Sequence, residues 1–162
     1  MIFDFSKEGE VQIDMKEYME DMIDECKYKI KETDKAPTPM ATKGFTEDDS
    51  RKLNDEYHEN FHTIVAKGLY ACKRGRPDIH TAIAHLTRRV RSPNVSDMKK
   101  LIRLLKYING TKNDKLRLSA TNLNVVKWYV DASFVVHPDF KSHTRGVMTY
   151  GRGAPITISR KQ

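Results

Sequence analysis

Cysteine is nearly absent from this 162-residue chain: Cys26 and Cys72 stand far apart, with no C-x-x-C pair and no framework. A disulfide-stapled fold is therefore excluded, and a reducing compartment, cytoplasm or nucleus, is the expected setting. Long apolar runs are missing too; nothing approaches the roughly 20 residues of a membrane span. The first residues alternate charged with apolar side chains, so no signal peptide is expected in them. There is no internal repeat and no low-complexity tract. The length allows one domain or two small ones, with a real but modest core.

What the chain has is charge, unevenly placed. The net charge is +7. Residues 1–60 hold 9 Lys/Arg against 17 Asp/Glu, a net of −8. Residues 73–117 hold 13 Lys/Arg against 3 Asp, a net of +10. A basic block inside a foldable segment points to a polyanion partner, nucleic acid first. The competing reading is a well-solvated basic surface.

The pattern along the chain predicts an α+β fold, helices first and sheet second. Ile2, Phe3 and Phe5, then Val11 and Ile13, flank a turn at Lys7-Glu8-Gly9, which reads as a β-hairpin over 1–14. Met15, Tyr18, Met19, Met22, Ile23 and Cys26 recur at helical spacing over 15–26, with acids opposite. Pro37, Pro39 and Gly44 break the pattern over 33–58, which reads as a linker or surface-hugging loop. Three helices are expected next. The first runs from about Asn60 to Lys73, with Gly68 costing about 1 kcal/mol against alanine. The second begins at Arg76-Pro77-Asp78 and ends at Ser92-Pro93-Asn94. The third is capped by Ser96, stops near Asn109-Gly110, and turns Met98, Leu101, Ile102, Leu105 and Ile108 inward. From residue 115 the period drops to two, and Val125–Val135 is the most strand-prone run. A turn through Ser142–Gly146 and strands at Val147–Tyr150 and Ile156–Ser159 complete the reading. The expected units are 1–32, a linker 33–58, helices over 59–111, and one sheet over 115–162.

Five passages, in order, carry a resemblance. They are Phe61–Ala66; Arg76–Ile79 with Thr81–Ala84; Leu104–Thr111; Lys127-Trp128-Tyr129-Val130-Asp131-Ala132-Ser133; and Ile158–Gln162. Together they resemble copia-type retrotransposon Pol polyproteins over essentially the whole chain. The resemblance implies that 1–14 follows the polymerase palm and that 60–110 are thumb and connection helices packing on template–primer. Residues 115–162 would open the RNase H domain. It implies that Asp131, on the first RNase H strand, is a catalytic Mg²⁺ ligand. The chain ends at Gln162, so the other RNase H carboxylates would lie on later segments and the polymerase aspartates upstream of Met1. The expectation is a polyprotein fragment with neither active site whole and no tightly bound metal. Three positions depart from the pattern: Arg145 for glycine, Met98 for tryptophan and His85 for a phenylalanine-like aromatic. If the turn at Arg145 needs positive φ, it is strained by roughly 1 kcal/mol or more. With the ending at Gln162, such departures lead one to expect a decaying genomic copy.

RNase H chemistry uses two divalent ions about 4 Å apart, and Mg²⁺ takes hard oxygen ligands. One aspartate cannot position two ions. The basic helices are better candidates for a surviving role. Lys99, Lys100, Arg103 and Lys106 mark one helix, Arg88, Arg89 and Arg91 the end of the preceding one, and Lys73, Arg74 and Arg76 a further knot. Such residues bind the phosphates of a duplex or RNA–DNA hybrid without reading sequence. Aromatics are sparse there, only Tyr70 and Tyr107, which favours backbone contact over base stacking.

Two other constellations compete. His58-Glu59-Asn60-Phe61-His62 fits H-E-x-x-H, which on a helix could hold Zn²⁺ with the glutamate as base. Val65 occupies the metzincin glycine position, however, and no acid occurs between Glu59 and Asp78. His137, Asp139 and His143 cluster around Pro138, read as loop geometry. A third alternative is a non-enzymatic interaction module using the acidic 15–26 helix.

Overall fold

The computed structural model describes residues 1–42, 44–137 and 139–162. The fold is α+β. It comprises β1 (Ile2–Asp4), β2 (Glu10–Asp14), α1 (Lys16–Asp24), α2 (Asp55–Arg74), α3 (His80–Thr87), α4 (Val95–Thr111), β3 (Leu116–Ala120), β4 (Lys127–Ser133), β5 (His143–Thr149), β6 (Gly151–Arg152) and β7 (Ile156–Lys161). A single 3-10 turn, Pro77–Ile79, leads into α3.

The N-terminal hairpin forms as its alternation predicts, with Gly9 at φ 71° closing the turn. One apolar core joins the four helices. Met19, Met22, Phe61, Ile64, Ile79, Ile83, Leu101, Leu104, Leu105 and Ile108 are all fully enclosed. Both long helices start on an asparagine. Asn54 accepts the Tyr57 N–H at 3.0 Å at the head of α2. At the head of α4, Asn94 accepts from the Asp97 N–H at 2.9 Å, and the Asp97 carboxylate accepts the Asn94 N–H at 3.1 Å. This reciprocal capping box starts α4 two residues before the expected Ser96, because only Asn94 has a carboxylate three residues on to answer it. The expected stop at Asn109 is also displaced. Asn109 is buried, and its Nδ2 donates to the carbonyls of Lys31, Glu32 and Asp34, pinning the segment after α1 while α4 runs on to Thr111.

The C-terminal residues form two sheets where one was expected over 115–162. β3 joins the N-terminal hairpin in the order β1-β2-β3-β6, and the second sheet has the order β4-β5-β7, antiparallel throughout. Leu116 and Leu118 pack against the helical core, so pairing with β2 covers an apolar row that pairing with exposed β4 would leave wet. The expected turn at Ser142–Gly146 is extended, since His143–Thr149 is one strand. Arg145 therefore sits in sheet geometry without strain. The positive-φ non-glycine residues described are Val135 and Phe140, in the loop before it.

Of the region expected to be a linker, 33–58, residues 55–58 already form the first turn of α2, and the described residues before it wrap the helices. Leu53 N–H donates to the Pro93 carbonyl and Lys52 bridges to Asn94. Its acids explain much of the charge asymmetry, because they meet the basic helices within the molecule. Glu47 pairs with Arg89 at 2.8 Å and Arg88 at 3.8 Å, and Asp34 with Lys106 at 3.4 Å. Elsewhere Glu20 pairs with Lys112 and Asp14 with Lys115, each at 3.0 Å. No helix among the described residues is long and apolar enough to cross a membrane.

Candidate nucleic-acid interface

Strand register sorts the second sheet into two faces. One carries Asp131, Arg145 and Ser159 in a row across β4, β5 and β7, beside the rows Tyr129–Val147–Thr157 and Ser133–His143–Lys161. This face meets α3 only at its β7 side. There His80 Nδ1 lies 2.7 Å from Thr157 Oγ1, and the Ser159 hydroxyl donates to Thr81 Oγ1 at 3.4 Å. Lys73, at the end of α2, donates to the Thr157 carbonyl at 3.2 Å. The opposite face is apolar, with the rows Trp128–Met148–Ile156 and Val130–Gly146–Ile158; its outer residues Trp128, Val130, Ile156 and Ile158 are exposed, while Gly146 and Met148 on the central strand are buried.

Asp131 is exposed on β4, and its neighbour across the sheet is a cation, Arg145. Among the described residues no three of His, Cys, Asp or Glu are grouped to hold a metal ion. This donor set does not fit a two-ion magnesium centre, which needs several convergent carboxylates.

The seven basic residues singled out on α4 and after α3 divide in two. Arg88, Arg89 and Lys106 carry the ion pairs above, and Arg89 also donates to Asp97 at 3.0 Å. Lys100 donates to the Thr46 carbonyl, and Arg103 to Thr38 Oγ1 at 2.9 Å. Among the described residues Arg91 and Lys99 make no ion pair and no side-chain hydrogen bond, and both are exposed. Arg76, expected in the basic knot, is buried. It forks onto Asp78 at 3.0 and 2.8 Å and reaches the Thr111 hydroxyl at 2.6 Å, tying the 3-10 turn to the end of α4. Its neighbours Lys73 and Arg74 remain exposed. The exposed cations lie partly outside the basic helices: Lys127, Arg145 and Arg160 line the second sheet. Their signal in the sequence is a cation on each of three strand-like runs, fainter than the basic block at 73–117.

The H-E-x-x-H stretch lies wholly inside α2. His58 Nε2 donates to the Val90 carbonyl at 2.7 Å, a tie that holds α2 to the chain after α3. Glu59 and His62 are exposed. On α1, Met19, Met22 and Ile23 are buried while Glu17, Asp21 and Asp24 face solvent.

Sequence reading underrated the remaining histidines. His80, His85, His137 and His143 are all buried, and Phe45 packs its ring against the last three. Pro138, within this loop, lies outside the described residues. Arg88 Nη1 is 3.1 Å from His137 Nδ1, His137 Nε2 is 3.0 Å from His143 Nδ1, and His143 Nε2 is 2.8 Å from Ser159 Oγ. Arginine can only donate, so it fixes every tautomer along the chain: both histidines are neutral, and each passes a proton donor toward Ser159. His143 therefore donates to Ser159 and cannot act as its base. Burial lowers the pKa of all four rings, to about 4 for His80 and His143 and about 3 for His85, with Lys73, Lys100 and Arg88 adding to the effect.

No protein-family model matches the chain, and no solved structure matches it. It is similar to a Saccharomyces cerevisiae protein named "Putative transposon Ty5-1 protein YCL074W", with 27% identity over 158 residues. The match covers 97% of this chain and 50% of that protein, so the chain spans about half the length of its relative. A likeness running almost end to end supports a retrotransposon-related protein.

Proposed function

We propose that residues 1–162 correspond to a segment of a copia-type retrotransposon Pol polyprotein. In this reading the segment runs from the end of a reverse-transcriptase-like region, through thumb and connection helices, into the first three strands of an RNase H-like sheet. The observation that carries the reading is the order β4-β5-β7. In this reading Asp131, at the middle of β4, corresponds to the family's first carboxylate, and β4, β5 and β7 supply the antiparallel strands, with the short β6 between the last two paired to β3 instead. The near end-to-end likeness to a transposon protein supports it independently.

The activity proposed for these residues is contact with the phosphate backbone of a duplex or RNA–DNA hybrid, without sequence preference. Exposed cations outside the internal ion pairs supply it: Lys73, Lys99 and Arg145. Each phosphate neutralised releases counterions, so binding must weaken steeply with salt. The test is fluorescence anisotropy on a labelled RNA–DNA hybrid across a salt series. Lys99→Ala and Arg145→Ala should each reduce the slope of log K against log salt by about 1. Arg88→Ala, whose charge is shared with Glu47, should leave the slope nearly unchanged. A wild-type chain that ignores the hybrid even at low salt overturns the proposal.

A further inference from the structure

Among the described strands, β4 is the one long edge with nothing over it. Lys127–Ser133 pairs with β5 on one side, and among the described residues no hydrogen bond reaches its other side. Its ladder with β5 runs through seven consecutive pairs without a bulge, and the strand holds no proline and no glycine. Edge strands are ordinarily guarded by short length, proline, bulges or a covering element. The other edges are guarded in this way. β1 has three residues and β6 two. On β7 the Lys73 ammonium caps the Thr157 carbonyl, and α3 packs alongside. β4 is instead exposed from Lys127 to Ala132.

This edge is complementary to a second copy of itself. Two β4 strands laid antiparallel about Tyr129 set Lys127 opposite Asp131 of the second copy, Trp128 opposite Val130, and Tyr129 opposite itself. The charge pair occurs twice, once at each end. Among the described residues neither Lys127 nor Asp131 has an ion pair within its own chain. On the other face the two apolar rows join end to end, Ile156–Met148–Trp128 running into Val130–Gly146–Ile158 of the second copy. Opposite-charge and aromatic–β-branched pairs are those that stabilise neighbouring strands. Other registers lose this match. Sliding by two residues sets Lys127 against Ser133 or Tyr129 and breaks both charge pairs. Sliding by one turns the apolar row of one copy onto the charged face of the other.

We propose that β4 is a homodimerisation edge: two copies of the chain pair antiparallel through it, about a two-fold axis at Tyr129, into one continuous sheet of order β7-β5-β4-β4-β5-β7. Such a contact uses the same patch on both chains and closes at two. The edge is short, which places the dissociation constant on the order of 10–100 µM. The inference does not rest on the nucleic-acid reading, and its test contains no nucleic acid.

Sedimentation equilibrium of the full chain should show a monomer–dimer equilibrium in this range and no larger species. Lys127→Glu, which sets two acids against each other at both ends, should raise the dissociation constant roughly tenfold or more. Cross-linking reads the register. Tyr129→Cys falls within disulfide reach of its own copy, since directly opposite Cα atoms lie about 4.5–5.5 Å apart, so oxidation should trap it as a dimer. Asp131→Cys, whose copies lie about 13 Å apart along the strands, should not be trapped. Cys26 and Cys72 are buried, so the wild-type chain serves as the blank. A chain that stays monomeric at concentrations about tenfold above this range would leave the edge to some other strand and overturn the proposal. A dimer indifferent to Lys127→Glu, or equal trapping of the two cysteine variants, would overturn it as well.

Discussion

Arg145 stands directly across from Asp131 in the β4–β5 register, a cation beside the strand acid that the resemblance would make a metal ligand. The arginine is accommodated without backbone strain, because β5 is extended there. Its consequence is electrostatic: a positive charge on the same face opposes a divalent ion at Asp131. The chain should not cleave an RNA–DNA hybrid in Mg²⁺ or Mn²⁺, and Arg145→Gly should not confer cleavage, since among the described residues no group of metal-ligating side chains converges there. Asp131→Asn, at an exposed position, should change stability by no more than about 0.5 kcal/mol. Hybrid cleavage that disappears in Asp131→Asn would defeat this reading.

Gly68 gives a sharper packing test. It sits in the middle of α2, where alanine would gain about 1 kcal/mol of helix propensity. A Cβ there would lie 2.3 Å from Ile83 Cδ1 and 3.1 Å from Ile83 Cγ1 on α3. Gly68→Ala should therefore destabilise, by roughly 1–3 kcal/mol, despite the better propensity. Ile83→Val removes the Cδ1 atom and alone costs about 1 kcal/mol. The double variant should be more stable than the two single losses predict, a positive coupling in urea melts. Strict additivity would mean that the two helices separate freely at this point.

How much could be read from sequence differs by the kind of signal. The hairpin, the methionine stripe of α1 and most of the inward faces of α2 and α4 followed from periodicity, because burial imposes it; Leu69, which the period turns inward on α2, is instead 41% exposed. The pairing of β3 did not, since alternation says which face is buried but not which neighbour covers it. The caps were misplaced because Asn94 and Ser96 are both good cap residues, and only the Asp97 side chain decides between them. The basic helices read as an open polyanion surface because sequence counts charges without showing that Glu47 and Asp34 fold back onto them. Four buried histidines were invisible as a group: His80 and His85 lie more than fifty residues from His137 and His143, and only docking of β5 and β7 beside α3 unites them.

Those histidines set an acid limit on stability. All four have folded pKa values below the ordinary 6.5. As pH falls through 6.5 the unfolded chain takes up protons that the folded chain refuses. Their contribution is thus complete above pH 6.5 and declines from there down to about pH 4, where His80 and His143 titrate in the fold. Urea midpoints measured from pH 7.5 to 4.5 should fall continuously below 6.5. His143→Gln, with one ring fewer, should show a shallower fall. A flat profile across this window would mean that the rings are hydrated and the docked arrangement is wrong.

The last expectation concerns how the second sheet is attached. β4 is exposed along its whole length up to Ser133 and touches the rest of the protein through β5; β5 in turn is held at His143, which packs on Phe45 and bonds His137, and through β7, which docks on α3. Trp128 lies in this outermost strand, 51% exposed, on the apolar face with Met148 and Ile156. An edge strand with unpaired backbone groups and little burial opens at low free energy, while the helical core requires global unfolding. Trp128 is the only tryptophan, so its emission reports this region alone. In urea its transition should precede the loss of helical circular dichroism, because two-state behaviour would require the probes to coincide. Raising the protein concentration should perturb the Trp128 transition more than the helical one, since the open face and edge are where chains would meet. Superimposable curves that do not move with concentration would show that the hydrogen bonds from β7 to α3 carry the whole sheet as one unit with the helices.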